Sequence, residues 1–407
     1  MSDLLCRVCA SSAVFEVMHL GDLAFTGTFP LPGEDVPSGR LTLAVCDDCG
    51  LVQLADTFPL EQLYGDNYGY RSGLNAGMVR HLQSTVAGLE RLLPLDGAVV
   101  LDIGSNDGTT LGAYRSDVVR IGIDPTSEKF AEFHPPGMTA VASFFSEDAY
   151  WAVSNRPARV VTSIAMFYDL EFPIGFARDV HRVLESDGLW HLEVAYAPKM
   201  LRNGAYDTIC HEHLEYYSLS SLAFILAEAG FKIVHAATNG TNGGSIAVTA
   251  AKAGSRWAPD TTFVPWMLAA EKRHRVNAAE SWVLFGERVR EHQYDLLGLL
   301  SALRVKGKAT IHGLGASTKG NVLLQSTGIG TQLVDAIGDV NPYKYGRVTP
   351  GTHIPIQSEA DTLAARPDYL LVLPWHFRDG LLQRLSGYLA DGGRVIFPLP
   401  DIEVVGE

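Results

Sequence analysis

Apolar positions recur at helical spacing through AGMVRHLQSTVAGLERLLPL, which begins at Ala76. The run leads into AVVLDIGSNDGTTLGAY, which reads as a buried strand, a glycine-bearing loop and a helix start. Short apolar stretches alternate with helical segments from there on: VRIGIDP, GMTAVASFF, ARVVTSIAMF, GLWHLEVAY and SIAVTAA are the expected strands. That order predicts an α/β fold with a parallel, doubly wound sheet. Residues 256–305 read as helical. Beyond them, ATIHGLGASTKGNVLLQ repeats the strand, glycine loop and helix, and LVDAIGD, DYLLVLP and GGRVIFPLP extend a second Rossmann-like unit. The expected units are 1–75, 76–255, a helical linker 256–305, and 306–407.

Composition agrees with several folded units. The chain has 407 residues, 47% of them hydrophobic and 19% charged, which excludes a disordered or solvating protein. Its 32 Lys+Arg against 46 Asp+Glu leave a net charge of −14, a field that repels polyphosphate and disfavours nucleic acid as a partner. No apolar run reaches the ~18–20 residues that span a bilayer. The opening MSDLLCRVCASSAVFEV lacks a charged segment followed by an apolar one, so no signal peptide is read there and a cytoplasmic protein is expected.

The cysteines change the picture at the N-terminus. Cys6-Arg7-Val8-Cys9 and Cys46-Asp47-Asp48-Cys49 form two CxxC pairs, and Cys210 stands apart. A two-residue spacer lets both thiolates of a pair face one ion, and the second pair closes a tetrahedral shell, so Cys6, Cys9, Cys46 and Cys49 are the expected ligands of a zinc. Four sulfurs leave no open position, which makes the metal structural. The alternative is four reduced core thiols. The segment between the pairs reads as an apolar, acidic loop, which argues against a nucleic-acid-binding zinc ribbon.

The first glycine loop runs Asp102-Ile103-Gly104-Ser105-Asn106-Asp107-Gly108 between a strand and a helix. Small residues let backbone N–H groups approach a ligand at a helix N-terminus. The next strand ends in Asp124, where a carboxylate can accept both hydroxyls of a ribose. The spacing departs from GxGxxG, because a single glycine sits at the tight turn and an acid precedes it; an NAD-binding or ligand-free Rossmann turn is the alternative. The loop resembles motif I of class I methyltransferases, which use S-adenosylmethionine. Across the whole chain, CRVC…CDDCGLVQL, YGYRSG, VLDIGSNDGT, CHEHLEYYS, GLGASTKGN and PGTHIPI are together similar to the nucleotide-sugar C-methyltransferases. The resemblance implies a class I methyltransferase sheet between an N-terminal zinc-binding module and a C-terminal Rossmann-like domain. It also implies that Asp102, Gly104, Ser105, Asn106, Gly108, Asp124 and Ala165 meet S-adenosylmethionine, and that the zinc is structural. In that family a histidine removes a proton beside a ketone, and the resulting enolate takes the methyl group.

Cys210-His211-Glu212-His213-Leu214-Glu215-Tyr216-Tyr217 is the densest titratable cluster, on the side where an open α/β sheet binds ligands. Histidine supplies a base near neutrality without much tuning. The resemblance makes His213 the base and Glu212 its neighbour, with His211 the competing histidine; Cys210 and Tyr217 are expected beside the substrate, a buried small residue being the alternative for Cys210. A catalytic metal and a purely structural pair of histidines are the alternatives. The pattern is HEH rather than HExxH, and the two rings would point to opposite sides of an extended segment. The family commonly has a tyrosine before the acidic pair, where this chain has Cys210-His211, and a histidine where this chain has Tyr168. Tyr168 and Tyr70 can each donate a hydrogen bond to an enolate oxygen. The late loop from Gly313 to Asn321 fits neither GxGxxG nor a Walker motif, so it is expected to face substrate rather than a second cofactor. Its Lys319 could meet a nucleotide-sugar diphosphate. The expected reaction is C-methylation of a ketone-bearing nucleotide-linked deoxysugar; the alternatives are methylation of a non-sugar small molecule, and a non-catalytic zinc-containing nucleoside-binding protein.

Overall fold

The computed structural model describes residues 4–59, 63, 70–115, 117–305 and 307–406. Three sheets organise them. The first is antiparallel, in the order β1 (Val14–Ala24), β2 (Ser38–Cys46), β3 (Val52–Leu54) and β9 (Glu215–Tyr216), and its last strand comes from far along the chain. The segment between the two cysteine pairs is therefore largely a hairpin and not a loop. Its alternation is hidden because β1 carries register shifts between Glu16 and Met18 and between His19 and Gly21.

The second sheet has seven strands: β4 (Val99–Ile103), β5 (Val119–Ile123), β6 (Thr139–Val141), β7 (Ala158–Ile164), β8 (Leu184–Ala195), β10 (Phe231–Asn239) and β11 (Ser245–Lys252). Their order is β10-β11-β8-β7-β4-β5-β6. Five run parallel from β4 to β8, but β11 is antiparallel to both β8 and β10, so the sheet is mixed where a parallel one was expected. The cause is the short link from Asn239 to Ser245, which can only reverse the chain, whereas a parallel return needs a crossover of a dozen residues or more. The third sheet is ordered β14 (Ile356–Ser358), β13 (Ile337–Asp339), β12 (Ile311–Leu314), β15 (Tyr369–Val372), β16 (Arg394–Phe397) and β17 (Glu403–Val405), parallel except for the last pair.

Helix α1 (Ala76–Leu92) starts where Asn75 accepts from the N–H groups of Gly77 and Met78, and it buries Met78, Leu82, Val86 and Leu89 on one face. The long helix α2 (Ala279–Val305) lays Trp282, Phe285 and Val289 on the zinc-module sheet. One apolar cluster joins Leu41, Leu43 and Val52 of that sheet to Ile311, Val372 and Ile396 of the third. A second joins Cys6, Cys46 and Leu51 to the central strands. Burial thus ties the N-terminal module to both sheets. No helix among the described residues is long and apolar enough to cross a membrane.

Candidate functional site

The four cysteines come together as their spacing requires. Cys6 Sγ lies 3.5 Å from Cys49 Sγ, Cys9 Sγ lies 3.5 Å from Cys46 Sγ, and all four sulfurs fall within 4.8 Å of one another. A tetrahedron with Zn–S bonds near 2.3 Å places its sulfurs about 3.8 Å apart, so an all-thiolate donor set of this size fits zinc. Gly50 N–H donates to the Cys46 carbonyl at 2.9 Å and Ala10 N–H to that of Cys6 at 2.9 Å, folding both knuckles alike. This is a structural zinc-binding cluster with no ligand position left open.

Strand order reverses between β4 and β7, which opens a crevice at their carboxyl ends. The loop after β4 lies there. Gly104 has φ +74°, and a Cβ on it would meet Met166 Cγ at 3.0 Å, so only glycine suits the turn. Asp102 is buried, and Thr162 Oγ1 donates to its Oδ1 at 2.5 Å; burial raises its pKa to about 7. Asp124 Oδ2 accepts from the Asn106 N–H at 2.9 Å, while its Oδ1 accepts from Thr126 N–H at 2.6 Å and Thr126 Oγ1 at 2.5 Å. The buried Ser105 Oγ has no hydrogen-bond partner among the described residues. This small-residue cradle, with an orphaned hydroxyl and an acid at the end of β5, fits the methionine and ribose portions of S-adenosylmethionine. Gly108, at φ +77°, opens the short helix Thr109–Gly112.

The segment after the zinc module covers this loop. Ser72 N–H donates to Asn106 Oδ1 at 3.0 Å, Gly73 N–H donates to Asp107 Oδ2 at 2.8 Å, and Asn106 Nδ2 donates to the Tyr70 carbonyl at 3.3 Å. Tyr70 is itself exposed. The stretch from Tyr64 to Gly69 lies outside the described residues.

Beside the loop is a pocket lined in part by Ala165, Tyr168, Glu193, Thr208, His213 and Lys319. Ala165 follows β7 at φ +57°, and its N–H donates to the Glu193 carbonyl at 2.8 Å. His213 Nδ1 lies 2.8 Å from the Thr208 carbonyl. A carbonyl only accepts, so Nδ1 carries the proton and Nε2 keeps its lone pair. The Tyr168 ring packs on the imidazole with centroids 4.2 Å apart. Burial, reinforced by the Lys319 ammonium, lowers the His213 pKa to about 3, well below the near-neutral value expected of the base, and keeps the ring neutral. Lys319 lies in the first turn of the helix Thr318–Thr327, which takes up the end of the segment expected as a loop, and its Nζ donates to the Asn242 carbonyl at 2.6 Å.

The other expected residues lie apart from this group. His211 is wedged between Phe25 and Phe58, each ring centroid 4.8 Å away, and its Nε2–H donates to the Gly39 carbonyl at 3.2 Å. Glu212 is buried against Gly27, where any Cβ would collide with its Oε1, and burial raises its pKa. Cys210 is fully buried, and burial raises its pKa as well. Tyr217 packs on Phe167 in the core, with centroids 5.4 Å apart.

Two pairs near the pocket escaped sequence reasoning. His81 Nε2 on α1 lies 2.9 Å from Oε2 of the buried Glu193, which raises the His81 pKa. The one available signal was an acid inside the apolar strand GLWHLEVAY. Asp207 is fully buried, accepts from Trp375 Nε1 at 2.8 Å, and leaves Oδ1 without a hydrogen bond among the described residues. Nothing local in the sequence marks that pair.

Known proteins match along the whole length. Residues 6–64 match the family model of a zinc binding domain, 78–236 that of a methyltransferase domain, and 240–400 that of the C-methyltransferase C-terminal domain. The chain is 30% identical over 411 residues to the C-methyltransferase NovU of Streptomyces niveus, covering 98% of this chain and 96% of that one. Among solved structures, the CcbJ methyltransferase of Streptomyces caelestis is 14% identical over 42% of this chain and 90% of its own, with a TM-score of 0.33. Magnesium protoporphyrin IX methyltransferase of Synechocystis PCC 6803 is 17% identical over 47% of this chain and 89% of its own, with a TM-score of 0.33.

Proposed function

The chain belongs to the S-adenosylmethionine-dependent methyltransferases of the NovU type, and we propose that it methylates the carbon beside the ketone of a nucleotide-linked deoxysugar. The observation that carries this reading is the convergence of His213, Tyr168 and Lys319 in one pocket next to the Asp102–Gly108 loop. His213 Nε2 takes the proton from the carbon next to the carbonyl, and the C–H electron pair passes into the enolate. The hydrogen bond from Nδ1 to the Thr208 carbonyl holds the ring in the tautomer this requires. Tyr168 donates to the enolate oxygen, and Lys319 offers its ammonium to the substrate's negative charge. S-adenosylmethionine, when bound, supplies an electrophilic methyl group to that carbon.

Asp124 holds the ribose, Asp102 and the residues from Gly104 to Gly108 hold the methionine portion, and Ala165 borders the transferred methyl. Glu212, Cys210 and Tyr217 support the segment that carries the base, and Tyr70 closes over the loop. The three sheets support a division into a zinc-binding module at 1–75, a cofactor-binding domain at 76–255, a helical linker at 256–305 and a Rossmann-like domain at 306–407.

The test is product structure. Enzyme, S-adenosylmethionine and a panel of nucleotide-linked keto-deoxysugars are incubated, and the products are read by carbon NMR. A new carbon–methyl bond next to the carbonyl is expected. Methyl transfer to oxygen, or turnover of non-sugar ketones alone, would overturn the reading.

A further inference from the structure

The segment that carries His213 is built into the zinc module. Strand β3 begins shortly after Cys49 and pairs on its free side with β9, placing Val52 opposite Tyr216 and Gln53 opposite Glu215. Leu54 N–H donates to the Leu214 carbonyl at 2.8 Å, immediately after His213. On the opposite side, Leu214 N–H donates to the Tyr168 carbonyl at 2.8 Å. The residues after the base are therefore a strand strung between the zinc module and the pocket wall. A strand fixed on both sides cannot slip, since a shift of one residue would turn His213 to the other face.

Arg7, inside the first CxxC knuckle, ties the same elements together. Its guanidinium donates to the Asp56 carbonyl at 3.2 Å and to Thr57 Oγ1 at 2.8 Å. It faces the fully buried Glu215 at 3.9 Å, that carboxylate's only ion pair among the described residues. The buried Gln53 completes the tie, accepting from the Arg7 N–H at 2.9 Å and donating to the Leu5 carbonyl at 3.0 Å. The mechanism uses none of these groups.

We propose that the zinc module is the template on which the base is positioned, with Arg7 and Glu215 as positioning residues that set His213 through the β3–β9 pairing. The zinc orders the knuckle, the knuckle holds Arg7 and β3, and β3 fixes the register of the segment that follows His213. Arg7 and β3 then act on the proton-transfer half of the site, while the Asp102–Gly108 loop, carried on β4, takes hydrogen bonds from Ser72 and Gly73 at the other end of the module. The inference rests on His213 being the base, but its consequence for the position of the ring does not.

The test uses the full-length zinc-loaded protein, labelled at histidine, with the His213 signals assigned by their loss in His213→Asn. The hydrogen bond from Nδ1 to the Thr208 carbonyl should give wild type a solvent-protected imidazole proton. In Arg7→Met that proton is expected to broaden or disappear, while zinc content stays at one per chain and S-adenosylhomocysteine affinity stays within about twofold. Arg7→Lys, which keeps the charge, should restore the signal in part. Arg7→Met/Glu215→Gln removes the stranded carboxylate and keeps the measurement available if the single variant folds poorly. With a thymidine-diphospho-4-keto-6-deoxyhexose as probe, solvent deuterium exchange at the α-carbon should fall by ~10–100-fold in Arg7→Met, the scale of an ångström's misplacement of a catalytic group. An unchanged imidazole signal in Arg7→Met and in the double variant would overturn the positioning role. Exchange that survives in His213→Asn, with the imidazole signal still dependent on Arg7, would instead overturn the base assignment and leave the template standing.

Discussion

The two glycine loops of the chain share a plan and differ in what their acids meet. Each leaves the first strand of a parallel array, β4 or β12, and each is followed by a strand whose end carries an aspartate, Asp124 or Asp339. Among the described residues, Asp124 accepts from backbone and hydroxyl donors of Asn106 and Thr126. Asp339 faces a lysine of the chain itself: Lys344 Nζ lies 3.7 Å from it, donates to the Ala316 carbonyl at 2.6 Å, and sits 4.4 Å above the Phe29 ring. The second crevice is thus filled from within by Lys344 and by a ring from the zinc module. Its remaining lysine, Lys319, turns across the seam towards His213. On the proposed reading one loop serves the methyl donor, and its counterpart forms a wall of the substrate pocket. A strand–glycine loop–helix sequence therefore identifies a fold, and the partner of the following acid identifies its use.

Substitutions at matched positions would break this contrast most sharply. Asp339→Ala strands a buried ammonium, and losing one partner of a buried pair typically costs ~3–5 kcal/mol. Urea unfolding should show that loss, with S-adenosylhomocysteine affinity of the folded protein unaltered; weakened binding instead would give the second loop a cofactor role. Asp124→Ala should do the reverse. Calorimetry should find S-adenosylhomocysteine bound ~1–3 kcal/mol more weakly, the cost of losing hydrogen bonds to a charged group, with little change in melting temperature. Lys319→Met should raise KM for the keto sugar about tenfold, equivalent to ~1.4 kcal/mol, and leave cofactor affinity alone. A Lys319 variant with normal KM would separate the second loop from the substrate.

The smallest effect is electrostatic. Burial and Lys319 hold the His213 pKa at about 3, below the 6.5 of an exposed imidazole. Between those values the unfolded chain binds more protons than the folded one. The stability this group contributes is therefore present above pH 6.5 and lost as pH falls through that window. Removing the Lys319 charge should raise the His213 pKa and narrow the window, which histidine NMR across a pH series would read directly. An unmoved titration would mean that burial alone sets it.

Parts of this architecture are legible in the sequence. The paired CxxC motifs mark the zinc site because four thiols at that spacing serve little else; Gly104 marks the first loop because its positive φ demands glycine, with Asp102 before the turn and Asp124 at the next strand's end marked by position. The hairpin β1–β2 was not legible, since bulges in β1 break its alternation. Nor was the reversal of β11, which depends on which neighbour a short link reaches. His211 and His213 are two residues apart and carry the same side chain. Only the tertiary fold sends one between Phe25 and Phe58 and the other into the pocket beside Tyr168. The pairs His81–Glu193, Asp207–Trp375 and Arg7–Glu215 join distant stretches of chain, where no local pattern connects the partners.

Hydrogen exchange reads whether His213 takes a proton from carbon. Wild-type enzyme with S-adenosylhomocysteine bound is incubated in deuterium oxide with the nucleotide-linked keto-deoxysugar that it methylates, so that deprotonation is read without methyl transfer. Exchange is expected at the carbon beside the ketone, reduced by ~10²–10⁴-fold in His213→Asn, the usual worth of general-base assistance, with methylation falling in parallel. Exchange that persists in His213→Asn and vanishes in His211→Asn would contradict the assignment. Methyl transfer without any exchange in wild type, and with the methyl on oxygen, would contradict the carbon-nucleophile chemistry itself.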